Sequence, residues 1–392
     1  MNRPCLFCCA LLFSSASQLV AMAEEAKKPL KVFILAGQSN MEGKALASTL
    51  EPVMADAQTR ERFKHLKTDG QWTVRDDVWV TFLDRSDKSP FPKYGPLSVG
   101  FGGHKTGRDE NNRKRPMPCI GPELGIGHVL GNHFDEPVLL IKAAWGGRAV
   151  KHTFRPPSAM PSDAEVKQRL AQVQKKNPDQ TFEKLKESYG SDYRKILSET
   201  HKVLSDVKKY LPEYDESQGY QIAGFVWFQG WNDGVGGGNP DYTEQMAHFI
   251  RDIRKDLKTP NLPFVIGELG TDGPLAGGWV AEFRKQQAAI AALPEFSQSV
   301  CLAKTAHCWH AGPASLQGKW DEFRKKAKAN EQKSKDDPTR IAPGEFFQKN
   351  WAQRYKKELA YTSDRRYHYN GSGRSYYEMG ESMGLAMLEM ME

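Results

Sequence analysis

Short apolar runs that stop at glycine constrain this chain more than any other feature. Residues 30–36 (LKVFILA) run into Gly37, and 137–144 (PVLLIKAA) into Trp145 and Gly146-Gly147. Residues 221–228 (QIAGFVWF) stop just before Gly230, 263–266 at Gly267, and 297–303 read as a fifth run. Runs of this length suit strands buried on both faces. Helical patterns separate them, over 122–132, a long amphipathic 192–211, 242–257, 281–292 and a closing 375–391. This alternation predicts an α/β fold, a parallel sheet covered by helices on both faces. Such sheets bind ligands beyond the carboxyl ends of their strands. The glycine turns after the first three runs all lie at that edge, so function is to be sought there.

Three stretches exceed a minimal fold of this kind. Residues 44–118 hold β-like segments around 72–82 and a glycine-rich loop at 95–107. Residues 149–190 are polar and proline-punctuated, then helical. Residues 311–341 are so rich in Lys, Asp and Glu that they read as an exposed excursion, or as a lid over a charged substrate. With no internal repeat and no linker, residues 24–392 are expected to form one domain with these three insertions. The 392 residues carry 55 Lys+Arg against 48 Asp+Glu, a net charge of +7, with 39% hydrophobic residues. That balance excludes an integral membrane protein, a disordered chain and a collagen-like repeat. It is too mild to mark a nucleic-acid binder; it fits a solvated basic face or an anionic ligand.

The amino end has an address rather than a fold. Arg3 precedes an apolar stretch from Cys5 to about Val20, and then Ala21-Met22-Ala23 stand before Glu24. This pattern predicts a secretory signal over residues 1–23, cut after Ala23. The stretch is short of the ~20 residues a membrane span needs and is diluted by serine. The expectation is an exported protein, periplasmic or extracellular, with no membrane insertion after cleavage. Cys119, Cys301 and Cys308 would remain, an odd number in which Cys301 and Cys308 are close enough for a local bridge. His307 and His310 flank Cys308 at helical spacing, but without acidic partners no metal site is expected.

Ser39 follows the first run directly, in Gly37-Gln38-Ser39-Asn40. A serine on a sharp strand-to-helix turn exposes its hydroxyl at the sheet edge, beside backbone N–H groups able to receive negative charge. Serine at its free pKa is a poor nucleophile and needs a base within reach, and that base needs an acid to fix its tautomer. His368, just before the final helix, can return to that turn, and Asp364 lies four positions before it. The turn after the third run, Gln229-Gly230-Trp231-Asn232-Asp233-Gly234, offers a side-chain amide. The turn after the second, Trp145-Gly146-Gly147-Arg148, offers backbone donors.

Taken together, AGQSNM (36–41), AAWGGR (143–148), the Gly230–Asp233 block and the His368 segment resemble the SGNH/GDSL hydrolase superfamily. GQSNM, IGPELGIG (120–127) and VWFQGWND resemble its sialate O-acetylesterase group, which includes acetylxylan esterases of carbohydrate esterase family 6. The blocks span residues 31 to about 390 in family order. The resemblance implies a flavodoxin-like three-layer α/β/α sandwich and a serine esterase with no metal and no cofactor. Its substrate would be an O-acetylated polysaccharide or sialic-acid-like sugar. Ser39 would be nucleophile and His368 base. The oxyanion hole would use the N–H of Ser39 and of Gly147 (or Gly146), together with Asn232 or Gln229. The sequence departs from the family twice. Arg365 stands where the acid usually sits, so Asp364 must reach from one position further. Trp231 replaces a usual Glu, which makes Gln229 and Asn232 rival donors.

Other residues carry two readings each. Glu123 favours its helix N-terminus or bonds to the Ser39 turn. Glu268 is an edge carboxylate between loops, or binds substrate. Arg148 meets an acidic sugar or a loop carbonyl. Among the indoles Trp145, Trp227 and Trp231, Trp227 reads as core and Trp231 as the best sugar platform. Two alternatives remain for the whole: an esterase or lipase of a non-carbohydrate ester, and a carbohydrate-binding protein with an impaired triad.

Overall fold

The computed structural model describes residues 28–85, 89–103, 105–108 and 114–392; the expected signal, residues 1–23, lies outside the described residues. Seven strands form the main sheet: β1 (Leu30–Gly37), β2 (Arg75–Thr81), β3 (Tyr94–Leu97), β4 (Val138–Ala144), β5 (Tyr220–Phe228), β6 (Phe264–Gly267) and β7 (Val300–Ala303). Their order is β7-β6-β5-β1-β4-β2-β3. Every neighbouring pair is parallel except β2 with β3. The five predicted strands are therefore present. The β-like segment expected around 72–82 is present as β2, and it belongs to the main sheet, pairing parallel with β4 from Val78↔Val138 to Thr81↔Ile141. Its sequence, RDDVWVT, begins with charges that mask the apolar alternation at its end.

Strand β1 is central because both of its faces are apolar. Phe33 and Leu35 enter one core, and Ile34 and Ala36 the other, as the two-residue side-chain period requires. Helices α1 (Glu123–His133) and α6 (Gly373–Met391) pack together over the first face. On the second face lie α2 (Ser191–Leu204), α3 (Tyr242–Asp256) and α4 (Gly278–Ala291). The result is the expected three-layer α/β/α arrangement. The predicted long helix 192–211 is broken at Asp206 (φ −153, ψ 65) and resumes as Val207–Tyr210. Ser205 and Asp206 there belong to the residue types that compete with helical backbone bonding. The charged stretch 311–341 contains α5 (Leu316–Glu331), which is not simply solvated. Leu316 and Phe323 bury against Trp351, with Trp320 and Tyr355 beside them.

All three described cysteines are free. The local bridge does not form: Cys301 Sγ lies 3.7 Å from Ala386 O and Cys308 Sγ 3.7 Å from Ser382 Oγ, one turn apart along α6. Burial pushes the Cys301 and Cys308 thiols up to about 12. Among the described residues no helix is long and apolar enough to cross a membrane, and no group of metal-ligating side chains converges.

Beneath the carboxyl edge lies a buried ion pair. Lys142, inside the otherwise apolar β4, is 2% exposed. Its Nζ donates to Glu123 Oε2 (2.7 Å), Phe101 O (2.8 Å) and Glu42 O (2.9 Å). Three N–H groups meet three acceptors, so the ammonium is saturated. Burial pulls the lysine down, and Glu123 opposes that shift. Glu123 Oε1 also accepts the Gly121 N–H at 2.8 Å. Glu123 stands in the first turn of its helix, as expected; it does not bond to the Ser39 turn directly but reaches it through Lys142. Removing one member of such a pair strands a buried charge, at about 3–5 kcal/mol. Lys142→Met is therefore expected to lower unfolding free energy by about that much in urea denaturation, and Lys142→Met with Glu123→Leu to recover most of the loss.

Candidate active site

Beyond Gly37 the chain makes one helical turn, Ser39–Glu42. Ser39 is 6% exposed. Its Oγ holds no hydrogen bond to another described residue, and its N–H, at the first position of the turn, has no intrahelical acceptor. The neighbouring Asn40 ties this turn to the far end of the chain. Its Nδ2 donates to Tyr367 O at 3.3 Å, and its Oδ1 accepts from Tyr376 Oη at 3.0 Å. The His368 segment is thereby held against the Ser39 turn.

That segment is a tight loop. His368 and Asn370 donate their N–H groups to Arg365 O, and Ser363 and Asp364 donate theirs to Asn370 O. The chain closes at Gly371 (φ +62), where a Cβ would stand 2.5 Å from Asp364 N. Curled in this way, the loop brings His368 Nδ1 to 3.2 Å from Asp364 Oδ2, so the four-residue spacing is bridged. No aligned hydrogen bond forms there, and the two groups meet as a contact at that distance. An ammonium meets the same oxygen: Lys105 Nζ lies 2.5 Å from Asp364 Oδ2 and donates to Ser363 O at 2.8 Å. Burial pushes the Asp364 carboxyl up, but the His368 ring and the Lys105 ammonium outweigh it and hold it well below the usual carboxylate range. Tyr369 anchors the loop from beneath, its Oη accepting the Gly270 N–H at 2.9 Å.

The third turn is set by Gln38. Its Oε1 accepts the N–H groups of Gly230 and Asn232, both at 3.3 Å, which fixes the amide's orientation. Its Nε2 then donates to Asn232 Oδ1 at 3.1 Å. Asn232 must therefore turn its NH2 group the other way, and that group has no hydrogen bond to another described residue. Gln229 differs. It is 2% exposed, and its Nε2 is engaged by Asp233 Oδ2 (2.7 Å) and Arg148 O (3.2 Å). Asp233, fully buried, also accepts from Val150 N, Lys151 N and Asn239 Nδ2. Burial pushes its carboxyl up and the four donors pull against that. The third turn is thus clamped to the loop that follows Gly146-Gly147.

The remaining predicted residues divide. Gly146 lies beside the serine: a Cβ added there would be 3.5 Å from Ser39 Cβ, whereas one at Gly147 would meet nothing. Arg148 pairs with buried Asp192 (Nε···Oδ2 3.3 Å), a partner not foreseen, and lines a small cleft with Glu42, Trp145 and Gly146. Trp145 Nε1 donates to Asp84 Oδ2 at 2.7 Å. Trp231 packs its ring 5.5 Å from that of Tyr367. Trp227 is fully buried, as core. Glu268 is buried, and its Oε2 accepts Thr305 N and Ala306 N, both at 3.2 Å, between neighbouring loops. Missed altogether were Gln38, Lys105, Lys142 and the clamp role of Asp233. The lysine in an apolar strand was the one visible signal.

The profile of the family described as carbohydrate esterase, sialic acid-specific acetylesterase matches residues 29–315. The chain belongs to that family. It is a carboxylic ester hydrolase, and the ester it acts on is an O-acetyl group on carbohydrate. A search of curated proteins finds no significant match. Among solved structures, a protein from Arabidopsis thaliana is 16% identical over 71% of this chain and 86% of its own, with a TM-score of 0.40. A carbohydrate acetylesterase from Xanthomonas citri is 15% identical over 70% and 49%, at 0.36. NanS is 17% identical over 71% and 78%, at 0.39.

The Lys105 contact is testable through pH. A carboxyl held low stays ionised until the pH falls through its depressed value. In Lys105→Met, Asp364 loses the ammonium beside it and takes up its proton at a higher pH than in the wild type. A carboxyl titration followed by carbon-13 NMR is expected to show that rise, and an unmoved midpoint would show the lysine contact to be idle.

Proposed function

We propose that the protein is an exported serine esterase that releases acetate from carbohydrate through an acetyl-serine intermediate. The observation that carries this reading is the His368–Asp364 contact in a loop pinned by Asn40 to the Ser39 turn. In this mechanism His368 takes the Ser39 proton as Oγ attacks the acetyl carbonyl, while Asp364 holds the ring's tautomer and balances the imidazolium. The oxyanion is received by the N–H groups of Ser39 and of Gly147 or Gly146, and by the Asn232 amide. The sugar alkoxide leaves with the proton from His368. Water, deprotonated by the same ring, then attacks the acyl carbon and restores Ser39.

The orientation imposed by Gln38 favours Asn232 over Gln229 as the side-chain donor, since the Gln229 amide is already spent on Asp233. Catalysis and export would belong to one domain from residue 24, released from its signal after Ala23, which amino-terminal sequencing of the secreted protein would test.

Ser39→Ala is expected to abolish acetate release from p-nitrophenyl acetate; a variant as active as the wild type would remove the proposal. Asn232→Ala is expected to cost ~2.7–4 kcal/mol of transition-state stabilisation, read as kcat. Gln229→Ala is expected instead to lower the melting temperature, because it removes one of the four donors that hold a buried carboxylate.

A further inference from the structure

The sheet order sets β5 and β6 on one side of β1, and β4 and β2 on the other. The His368 loop is anchored beyond β6, at Gly270. On the opposite side lies a cleft of about 220 Å³, lined by residues that follow β2 and β4, among them Asp84, Arg85, Gly146 and Arg148. Gly146 joins this cleft to the serine. A Cβ there would stand 3.5 Å from Ser39 Cβ and 3.2 Å from Oε2 of Glu42, the residue that closes the Ser39 turn and also lines the cleft. The wall has spent its acceptors and kept its donors. Glu42 Oε1 pairs with Lys44 Nζ at 2.6 Å, and Asp84 Oδ2 takes the Lys195 ammonium at 3.2 Å as well as the Trp145 N–H. Arg85 is 4% exposed. Its outer nitrogens donate to the carbonyls of Pro92, Gly100 and Gly102, all neutral, and its buried Nε has no acceptor. Arg148 Nε lies 3.3 Å from Asp192 Oδ2 without an aligned hydrogen bond, and its outer nitrogens hold no hydrogen bond to a described residue. A buried cation that meets only neutral oxygens is poorly compensated.

We infer that this cleft receives a carboxylate at the far end of the acyl group, so that the enzyme also cleaves half-esters of short dicarboxylic acids, such as succinyl esters. The inference rests on the serine esterase reading above and extends it to the acyl half of the ester. The alkoxide leaves toward His368, so the remaining substituent of the reacting carbon points away from that ring, past Gly146. A methyl takes about one water's share of space, ~30 Å³, and leaves most of the cleft empty. A chain a few carbons longer reaches the two guanidinium groups, whose unspent N–H donors suit a carboxylate. The chemistry is the same double displacement. Ser39 Oγ bonds to the ester carbon, the bond to the sugar oxygen breaks, and that oxygen takes the serine proton through His368. Water then gives its hydroxyl to the acyl carbon and a proton to Ser39, and the new carboxyl of the released diacid ionises to solvent.

The test compares 6-O-acetyl, 6-O-butyryl and 6-O-succinyl methyl glucoside, with the released acid measured by proton NMR for the full-length secreted enzyme. Butyryl and succinyl groups have the same carbon count and differ in the terminal charge. The succinyl ester is expected to exceed the butyryl ester in kcat/KM by roughly tenfold or more, the gain from a charge-assisted hydrogen bond. In Arg148→Gln that ratio is expected to fall toward one. Arg148→Lys keeps a charge beside Asp192 but loses the planar fork, and is expected to fall between. Melting curves check the fold of both variants. An acetylated methyl glucuronide puts the carboxylate on the alcohol half instead, and is expected to gain nothing from Arg148. A succinyl ester cleaved no faster than the butyryl ester, an unchanged ratio in both variants, or a gain from Arg148 only with the glucuronide would overturn the inference. Failure of the esterase reading would show separately, as full activity of Ser39→Ala on the acetyl ester.

Discussion

One ammonium group fixes the ground on which the site stands. Lys142 projects from the middle of a buried strand and gives its three protons to Glu123, to the carbonyl that ends the Ser39 turn, and to Phe101 in the glycine-rich loop. A charge removed from water is stable there only because each proton has an acceptor. The geometry of three separate chain segments is therefore set by one tetrahedral centre. If any of the three moved, the lysine would lose an acceptor it has no water to replace.

Above that base, the polar groups orient one another in sequence rather than acting singly. Two backbone N–H groups decide which way the Gln38 amide faces, Gln38 decides which way Asn232 faces, and Asn232 is left with its donor group unspent. Asp233 does similar work below the surface, collecting four donors from two loops and withdrawing Gln229 from the site. Two amides that are chemically alike three positions apart thus end in different roles, and the difference lies wholly in their neighbours.

Those neighbours explain which parts of the molecule were legible in the sequence. The apolar runs at 30–36, 137–144 and 221–228 declared buried parallel strands because period and composition agree there. The Ser39, Asn232 and His368 turns were legible as strand-end and helix-start punctuation. Strand β2 was obscured because RDD at its start belongs to an ion pair and a sheet end, not to a loop. Lys105 was invisible because nothing local links a glycine-rich loop to a carboxylate 259 positions later; only the folded chain sets Nζ against Asp364. The link from Glu123 to the Ser39 turn was not legible for the same reason, since it runs through a lysine that an apolar strand would not be expected to hold. The spacing of Asp364 from His368 looked one residue too long, and the curl in which Arg365 O accepts the His368 N–H brings the ring back to the carboxylate.

The bond from Asn40 to Tyr367 joins positions 327 residues apart, across a sheet whose central strand is the first one made. Contacts so distant along the chain form late, after the closure entropy of everything between them has been met. The Ser39 turn and the His368 loop are consequently strangers during synthesis, and the two ends of the chain meet only when nearly all of the backbone between them is in place.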